Sequence, residues 1–550
     1  MAPYTWLPQL AASPRRAASA EDRAQLATVE PRLLSEADVR RTARSPSSPR
    51  VDASQSLAPA TALAAVNSPA AAAAGAVAYP PSRIEPVQDN YHGHELTDNY
   101  RWLENGESAD VKEWVRQQNE LTTSQLSSIP FRDQLKERLT ELLTIDSVGS
   151  PFFHGDKTFQ FRRTGEQNQA VLYVKDAAGN ERVALDPNSW SEQGIESLDW
   201  DYISPNAHYI AYGRSTGGDE WSTLHVLDLE TGQELEEQIP RTRAASLAWL
   251  PDESGFYYTR YPAPGEVPPG DENYHRSVYF HQLGSDPAGD QRIYSDENKQ
   301  AWPNLQISDD GKKLLIAASQ GWTREDLYVL DRETGELKPM LKGVEAKFAT
   351  SFVDGQLYAM TDHNAPQKRL VRIDPARPEP ENWAEVIPQR DDAVLESYEI
   401  VNGQIFATYL KDASSQVVRY DTQGNRLGEL QLPGIGTVGG IVPGPEKKEL
   451  YYSFSSYNRP PTVYRYDIDS GETSVWSSVD VGVDPDDFEV KQQWYTSFDG
   501  TQVPMFIVHK KGVELDGDNP TVLYGYGGFD VSMTPSFSKS TLQWLESGGV

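Results

Sequence analysis

The sequence predicts a mainly β protein, a seven-bladed β-propeller that leads into the opening of a second, α/β domain. Three observations carry this. A strand–turn–strand unit recurs seven times between residues 150 and 480, and the region just before it has helical rather than strand periodicity. After Asp480 the repeat stops and strands, a glycine-rich turn and a short helix take over. Composition agrees: the 550 residues are 38% hydrophobic, enough for large cores, and 27 Tyr and 13 Trp favour strands.

The clearest unit is Leu305-Gln306-Ile307, the turn Ser308-Asp309-Asp310-Gly311, then Lys313-Leu314-Leu315-Ile316 and a strand from Leu327 to Asp331 that closes at Thr334-Gly335. A second passes through Ile203-Ser204-Pro205-Asn206, Tyr209 to Tyr212, and Leu224 to Asp228 with Thr231-Gly232. A third has Trp249-Leu250-Pro251-Asp252, Gly255-Phe256-Tyr257-Tyr258 and Val278-Tyr279-Phe280. Equivalent turns fall near 154, 204, 251, 308, 353, 401 and 443, a spacing suited to four-stranded blades. One such sheet cannot bury both faces alone, so the blades must stack around an axis. A tandem of β-sandwiches would not need so uniform a period. No strand from the far end of the chain is available to join blades one and seven, so a loosely closed ring is expected.

Four regions follow. Residues 1–78 are rich in Ala, Ser, Pro and Arg, lack Lys and include the tract Ala70 to Ala74, which reads as a disordered leader. Arg15 and Arg16 with no nearby acid leave an organelle transit peptide open, although acids begin at Glu21 and no secretory apolar stretch is evident. Residues 79–146 form an arm with two helical faces: Val111, Trp114, Val115 and Leu121, then Leu135, Leu139, Leu142 and Leu143, with Pro130 in the first turn of the second helix. The propeller takes 147–480. Residues 481–550 begin the α/β domain: a turn at Asp499-Gly500, the strand Val503 to His509, a strand Thr521 to Tyr524, and a helix through Leu542, Trp544 and Leu545 that ends at Gly548-Gly549. Val550 would open a further strand, so the domain is expected to be cut off there.

A net charge of −31 argues against nucleic-acid binding. It fits either an acidic surface that steers cationic substrates or simple solvation of a large protein. No run approaches the roughly 20 apolar residues of a membrane span, which predicts a soluble protein without a membrane partner. The chain has no Cys, which removes disulfides, thiol nucleophiles and Cys-based zinc sites, and a cytoplasmic monomer is expected.

Motifs for chemistry are few. There is no GxSxG, GxxxxGK[ST] or HExxH. His92 and His94 are two apart with no further ligands clustered nearby, so a structural role is expected, and neither a metal nor a cofactor is predicted. Gly434-Ile435-Gly436-Thr437-Val438-Gly439 matches GxGxxG, but Pro433 precedes it and no helix pattern follows, so it reads as a turn between blades. Leu523-Tyr524-Gly525-Tyr526-Gly527-Gly528-Phe529 is more informative. Glycines at the carboxyl end of a buried strand let the backbone turn and approach a ligand, at the place where open α/β sheets carry their sites. A phenol there can donate to a developing oxyanion. A tyrosine packed in the core is the alternative.

From Tyr79 to Val550 the chain resembles prolyl oligopeptidase. The carriers are Tyr91-His92-Gly93-His94 with Tyr100-Arg101-Trp102-Leu103-Glu104, the strand Pro504 to Gly512, and the Tyr526 motif ending Gly-Gly-Phe at Phe529. The related oligopeptidase B, which cleaves after basic residues, shares the architecture, and a non-catalytic binding propeller is a third reading. The resemblance implies a serine peptidase that cleaves short proline-containing peptides after proline. Its α/β-hydrolase domain is built from the arm plus everything after the propeller, and the propeller covers the active site. It implies Tyr526 as a side-chain donor in the oxyanion hole and Phe529 as a wall of the proline pocket. The family's Ser, Asp and His fall beyond Val550, so this chain alone is expected to be inactive.

Overall fold

The computed structural model describes residues 77–528 and 531–550; the leader expected over 1–78 lies, except for its last two residues, outside the described residues. The chain divides into two units between Arg132 and Asp133. In the first, Val87–Tyr91 pairs antiparallel with His94–Asp98. His92 and Gly93 form the two-residue turn with left-handed φ of 52° and 88°, and the Gly93 N–H donates to Asn90 Oδ1 at 3.0 Å. His92 and His94 therefore serve a hairpin. Helix α1 (Ala109–Ser127) is capped by Ser108, whose hydroxyl accepts the Val111 N–H at 3.3 Å. Val111 is buried, whereas Val115 of the same predicted face is exposed.

The second unit starts one residue into α2 (Arg132–Leu143), and Pro130 stands two residues ahead of that helix rather than in its first turn. Seven antiparallel sheets follow, over 147–185, 196–239, 247–294, 302–341, 348–387, 394–430 and 437–477. This is a seven-bladed β-propeller. Each blade has four strands, except blade one, where the short strand Phe152–His154 adds a fifth. All the strands of a blade are consecutive in sequence, so among the described residues no blade borrows one from the end of the chain.

Side chains at the turns explain the repeat. Between the third and fourth strands, Asp228 Oδ1 accepts the N–H groups of Glu230 and Thr231 at 2.8 and 2.9 Å, and Asp331 repeats this with Glu333 and Thr334. These N–H donors hold both carboxyls below the usual carboxylate range. Gly232 and Gly335 then turn the chain at φ of 70° and 73°. Between the first and second strands, Ser204 Oγ accepts from His208 and Tyr209, and Ser308 Oγ accepts from Lys313. At Gly311 a Cβ would lie 2.6 Å from the Pro251 ring of the neighbouring blade, so glycine is required there for close blade contact as well as for its φ of 68°.

Between successive blades lie six apolar clusters, such as Phe159, Leu172, Ile210 and Tyr212 between blades one and two, and Phe406, Leu450, Tyr452 and Phe454 between six and seven. The seventh seam, from blade seven back to one, has no such cluster among the described residues. There Phe153 meets Tyr451 with ring centroids 5.3 Å apart. First strands of neighbouring blades touch each other, which places them innermost, around the axis.

After the propeller, Phe488–Thr496 and Gln502–Lys510 form an antiparallel hairpin around the Asp499-Gly500 turn. Helix α3 (Lys539–Glu546) follows, with Ser538 as its cap and Gly548 at φ 85° just beyond it. Leu142 of α2, Phe488, Leu542 and Leu545 form one buried cluster. Arg138 Nε and Nη2 donate to Glu546 at 2.9 and 2.6 Å, which ties α2 to α3. The strand expected at Thr521–Tyr524 is not formed. Val522, Leu523 and Tyr524 are exposed, and the backbone finds Val550 alone, through Val522 N–H to Val550 O at 3.0 Å. A buried parallel strand needs ladder partners on both sides, and a single residue cannot supply them. No helix among the described residues is long and apolar enough to cross a membrane.

Candidate active site

The hairpin 488–510 and α3 are the packed base from which residues 521–528 extend. Tyr526 lies in that extended segment and is 41% exposed. Gly525 and Gly527 have open space where a Cβ would stand, and neither has a left-handed φ. Phe529, the predicted pocket wall, lies outside the described residues, so the structure does not place it beside Tyr526. The GxGxxG match at 434–439 runs straight into the strand Thr437–Pro443 and begins no helix.

Sequence reading missed a set of carboxylates on the innermost strands. Asp201 lies on the first strand of blade two and Glu396 and Glu399 on that of blade six. Surrounding protein pushes the Asp201 carboxyl up to about 6 and the Glu399 carboxyl up to about 7. Surrounding protein also raises Glu396, itself exposed, against an opposing effect of the Lys368 charge. A signal was available: acids interrupt the strand Val394-Leu395-Glu396-Ser397-Tyr398-Glu399-Ile400-Val401, where an apolar alternation was expected.

These groups make stability pH-dependent. With its folded-state value above the ordinary 4.5, Glu399 holds more protons folded than unfolded between about pH 4.5 and 7, so its contribution falls as pH rises through that window. Glu399→Gln removes the ionisation. Its melting temperature relative to the parent should rise between about pH 5 and about pH 8. Equal differences at both pH values would mean that Glu399 does not titrate there.

Comparison with known proteins gives a consistent result. Residues 79–479 match the family model described as prolyl oligopeptidase, N-terminal beta-propeller domain. The chain is 37% identical over 480 residues to the prolyl endopeptidase of Elizabethkingia miricola, covering 86% of this chain and 67% of that protein. It is 29% identical over 520 residues to prolyl oligopeptidase A of Amanita bisporigera, covering 86% and 68%. A solved structure from work on two prolyl endopeptidases and the role of inter-domain dynamics in their catalysis and specificity aligns with a TM-score of 0.81 at 34% identity, over 86% of this chain and 70% of the other. Prolyl oligopeptidase B from Galerina marginata, bound to a 35mer hydrolysis and macrocyclization substrate, aligns with a TM-score of 0.78 at 26% identity, over 85% and 70%.

Proposed function

Because the chain belongs to the prolyl oligopeptidase family, we propose that the complete protein is a serine endopeptidase that cleaves short peptides on the carboxyl side of proline by acyl transfer. The observation that carries this reading is the 37% identity to a prolyl endopeptidase, which runs over 480 residues and so through arm, propeller and beyond.

In this reading a serine attacks the scissile carbonyl, a histidine takes the serine's proton and passes it to the leaving amine, and an aspartate orients the histidine. The carbonyl oxygen becomes an oxyanion that accepts a hydrogen bond from the Tyr526 hydroxyl. The Phe529 ring lines the pocket for the proline side chain. The seven blades screen access, so that short peptides enter and folded proteins do not. Ser, Asp and His are assigned to sequence that follows Val550, and the 550 residues alone are expected not to hydrolyse peptides.

A serine-reactive fluorophosphonate should label the complete protein and leave the 550-residue chain unmodified. Fluorogenic Gly-Pro substrates should be cleaved by the complete protein in preference to Arg-Arg ones. Preference for Arg-Arg would replace proline specificity by a basic one, and absence of both labelling and cleavage would leave a non-catalytic propeller.

A further inference from the structure

One buried cation of the propeller has no acid beside it. Arg276, directly before the third strand of blade three, is 2% exposed and forms no ion pair among the described residues. Its tethers are neutral: Nε and Nη2 donate to Thr259 Oγ1 at 3.0 and 2.7 Å, and Nη2 also donates to Ala244 O. Nη1 is left without a hydrogen-bond partner, and burial pulls the guanidinium down to about 10. Taking a cation out of water in this way is costly, and an apolar side chain of similar length would fill the space at a smaller penalty.

What the guanidinium does hold is a ring. It lies 4.1 Å from the centroid of Trp302, which is 38% exposed, and 5.9 Å from that of Tyr261. Tyr261 meets the Trp302 ring edge to face at 6.4 Å and 77°. Tyr261 is itself set by Trp221 of blade two at 5.5 Å and by its own N–H, which donates to Arg241 O at 3.0 Å. A cation over the ring and an aromatic edge beside it fix the plane of an indole that solvent would otherwise let swing. Trp200, Trp249 and Trp383 of the propeller donate their N–H groups to backbone carbonyls, whereas the Trp302 N–H has no acceptor among the described residues.

Position says what the ring meets. Trp302 is the first residue of the innermost strand of blade four and pairs with Ser319 at the end of the second strand, so it stands beside the axis at one end of the propeller. At that same end the post-propeller segment attaches: the Phe537 N–H donates to Ser455 Oγ at 3.0 Å, the Phe506 ring meets Tyr457 at 5.5 Å, and Gln492 donates to Asp412 O. Trp302 thus lies on the side of the ring that carries Tyr526. Flat aromatic rings dock prolyl segments, whose stiff extended form loses little entropy on binding, and they stack with aromatic side chains.

We propose that Trp302 is a platform for one ring of a bound peptide, prolyl or aromatic, apart from the proline at the cleaved bond, and that Arg276 is the residue that positions it. That the occupant is a peptide rests on the peptidase reading, and the platform adds to it a preference for a second ring.

The test is fluorine NMR of the 550-residue chain labelled with 5-fluorotryptophan, the Trp302 signal being assigned by its loss in Trp302→Phe. Three octapeptides built of Gly and Ser are titrated: one without a ring, one with a single proline and one with a single phenylalanine. At least one ring peptide should shift the Trp302 signal at about tenfold lower concentration than the ring-free peptide, and which one does so names the ring. Arg276→Met should melt at or above the parent temperature yet weaken that response about threefold, a dissociation that a purely structural arginine would not give. A Trp302 signal that stays still with all three peptides, or answers all three equally, overturns the platform; a full response in Arg276→Met overturns the arginine's part. The peptidase reading fails separately: a complete protein that does not cleave after proline leaves a ring-selective Trp302 signal standing, and cleavage with a silent signal removes the platform alone.

Discussion

Tyr526→Phe in the complete protein should lower kcat about 10²- to 10³-fold with little change in KM, the loss that follows removal of one oxyanion donor. The reason is differential binding. In the proposed mechanism the hydroxyl meets full negative charge as the tetrahedral intermediate forms and little in the bound substrate, so the lost interaction appears in kcat. The substitution keeps the ring and removes one oxygen. Because the side chain is 41% exposed and its neighbours Gly525 and Gly527 stand in open space, no buried partner is left unpaired and the melting temperature should hold. Steady-state kinetics on a fluorogenic Gly-Pro substrate measures the effect. An unchanged kcat would take Tyr526 out of the mechanism.

Tyr451→Ala should destabilise the propeller by about 3–5 kcal/mol, the range for truncating a large buried aromatic, and the damage should be local. Tyr451 is 3% exposed, packs on Phe153 of blade one at 5.3 Å and on Trp476 at 5.0 Å, and donates its hydroxyl hydrogen to Glu449 Oε1 at 2.7 Å. The other six seams contain clusters of nine or more buried residues, whereas this one depends on far fewer. Among the described residues no strand crosses it, so its closure depends on side-chain packing. Backbone amides of blades one and seven should exchange hydrogen faster in the variant while blade three stays protected. Phe256→Ala, inside the cluster between blades two and three, is the control of comparable size. Uniform loss of protection in the Tyr451 variant would show that the ring has no weak seam.

Much of the fold was legible because its signals are local. The Asp-x-x-Thr-Gly closures at Asp228 and Asp331 are hydrogen-bonded turns completed within five residues, and the alternating strands lie within one blade of about 40–50 residues. The helical faces read in part: Leu142 was predicted from spacing and is fully buried, whereas Val115 and Leu143 of the predicted faces are exposed. Reading failed where a partner had to be known. Thr521–Tyr524 has the composition of a buried strand, yet its edges find one residue. Glu399 looks like a surface acid until the first strands are seen around an axis.

The amino-acid sequence by itself determined the number of blades, their turns, the helical arm and the resemblance carried by the Tyr526 motif, because periodicity and turn chemistry act between residues close along the chain. Tertiary structure alone decided which seam closes without a cluster and which carboxyls are pushed upward. Those outcomes depend on what lies across a gap between blades, and charge and desolvation energies follow distance in space rather than separation in sequence.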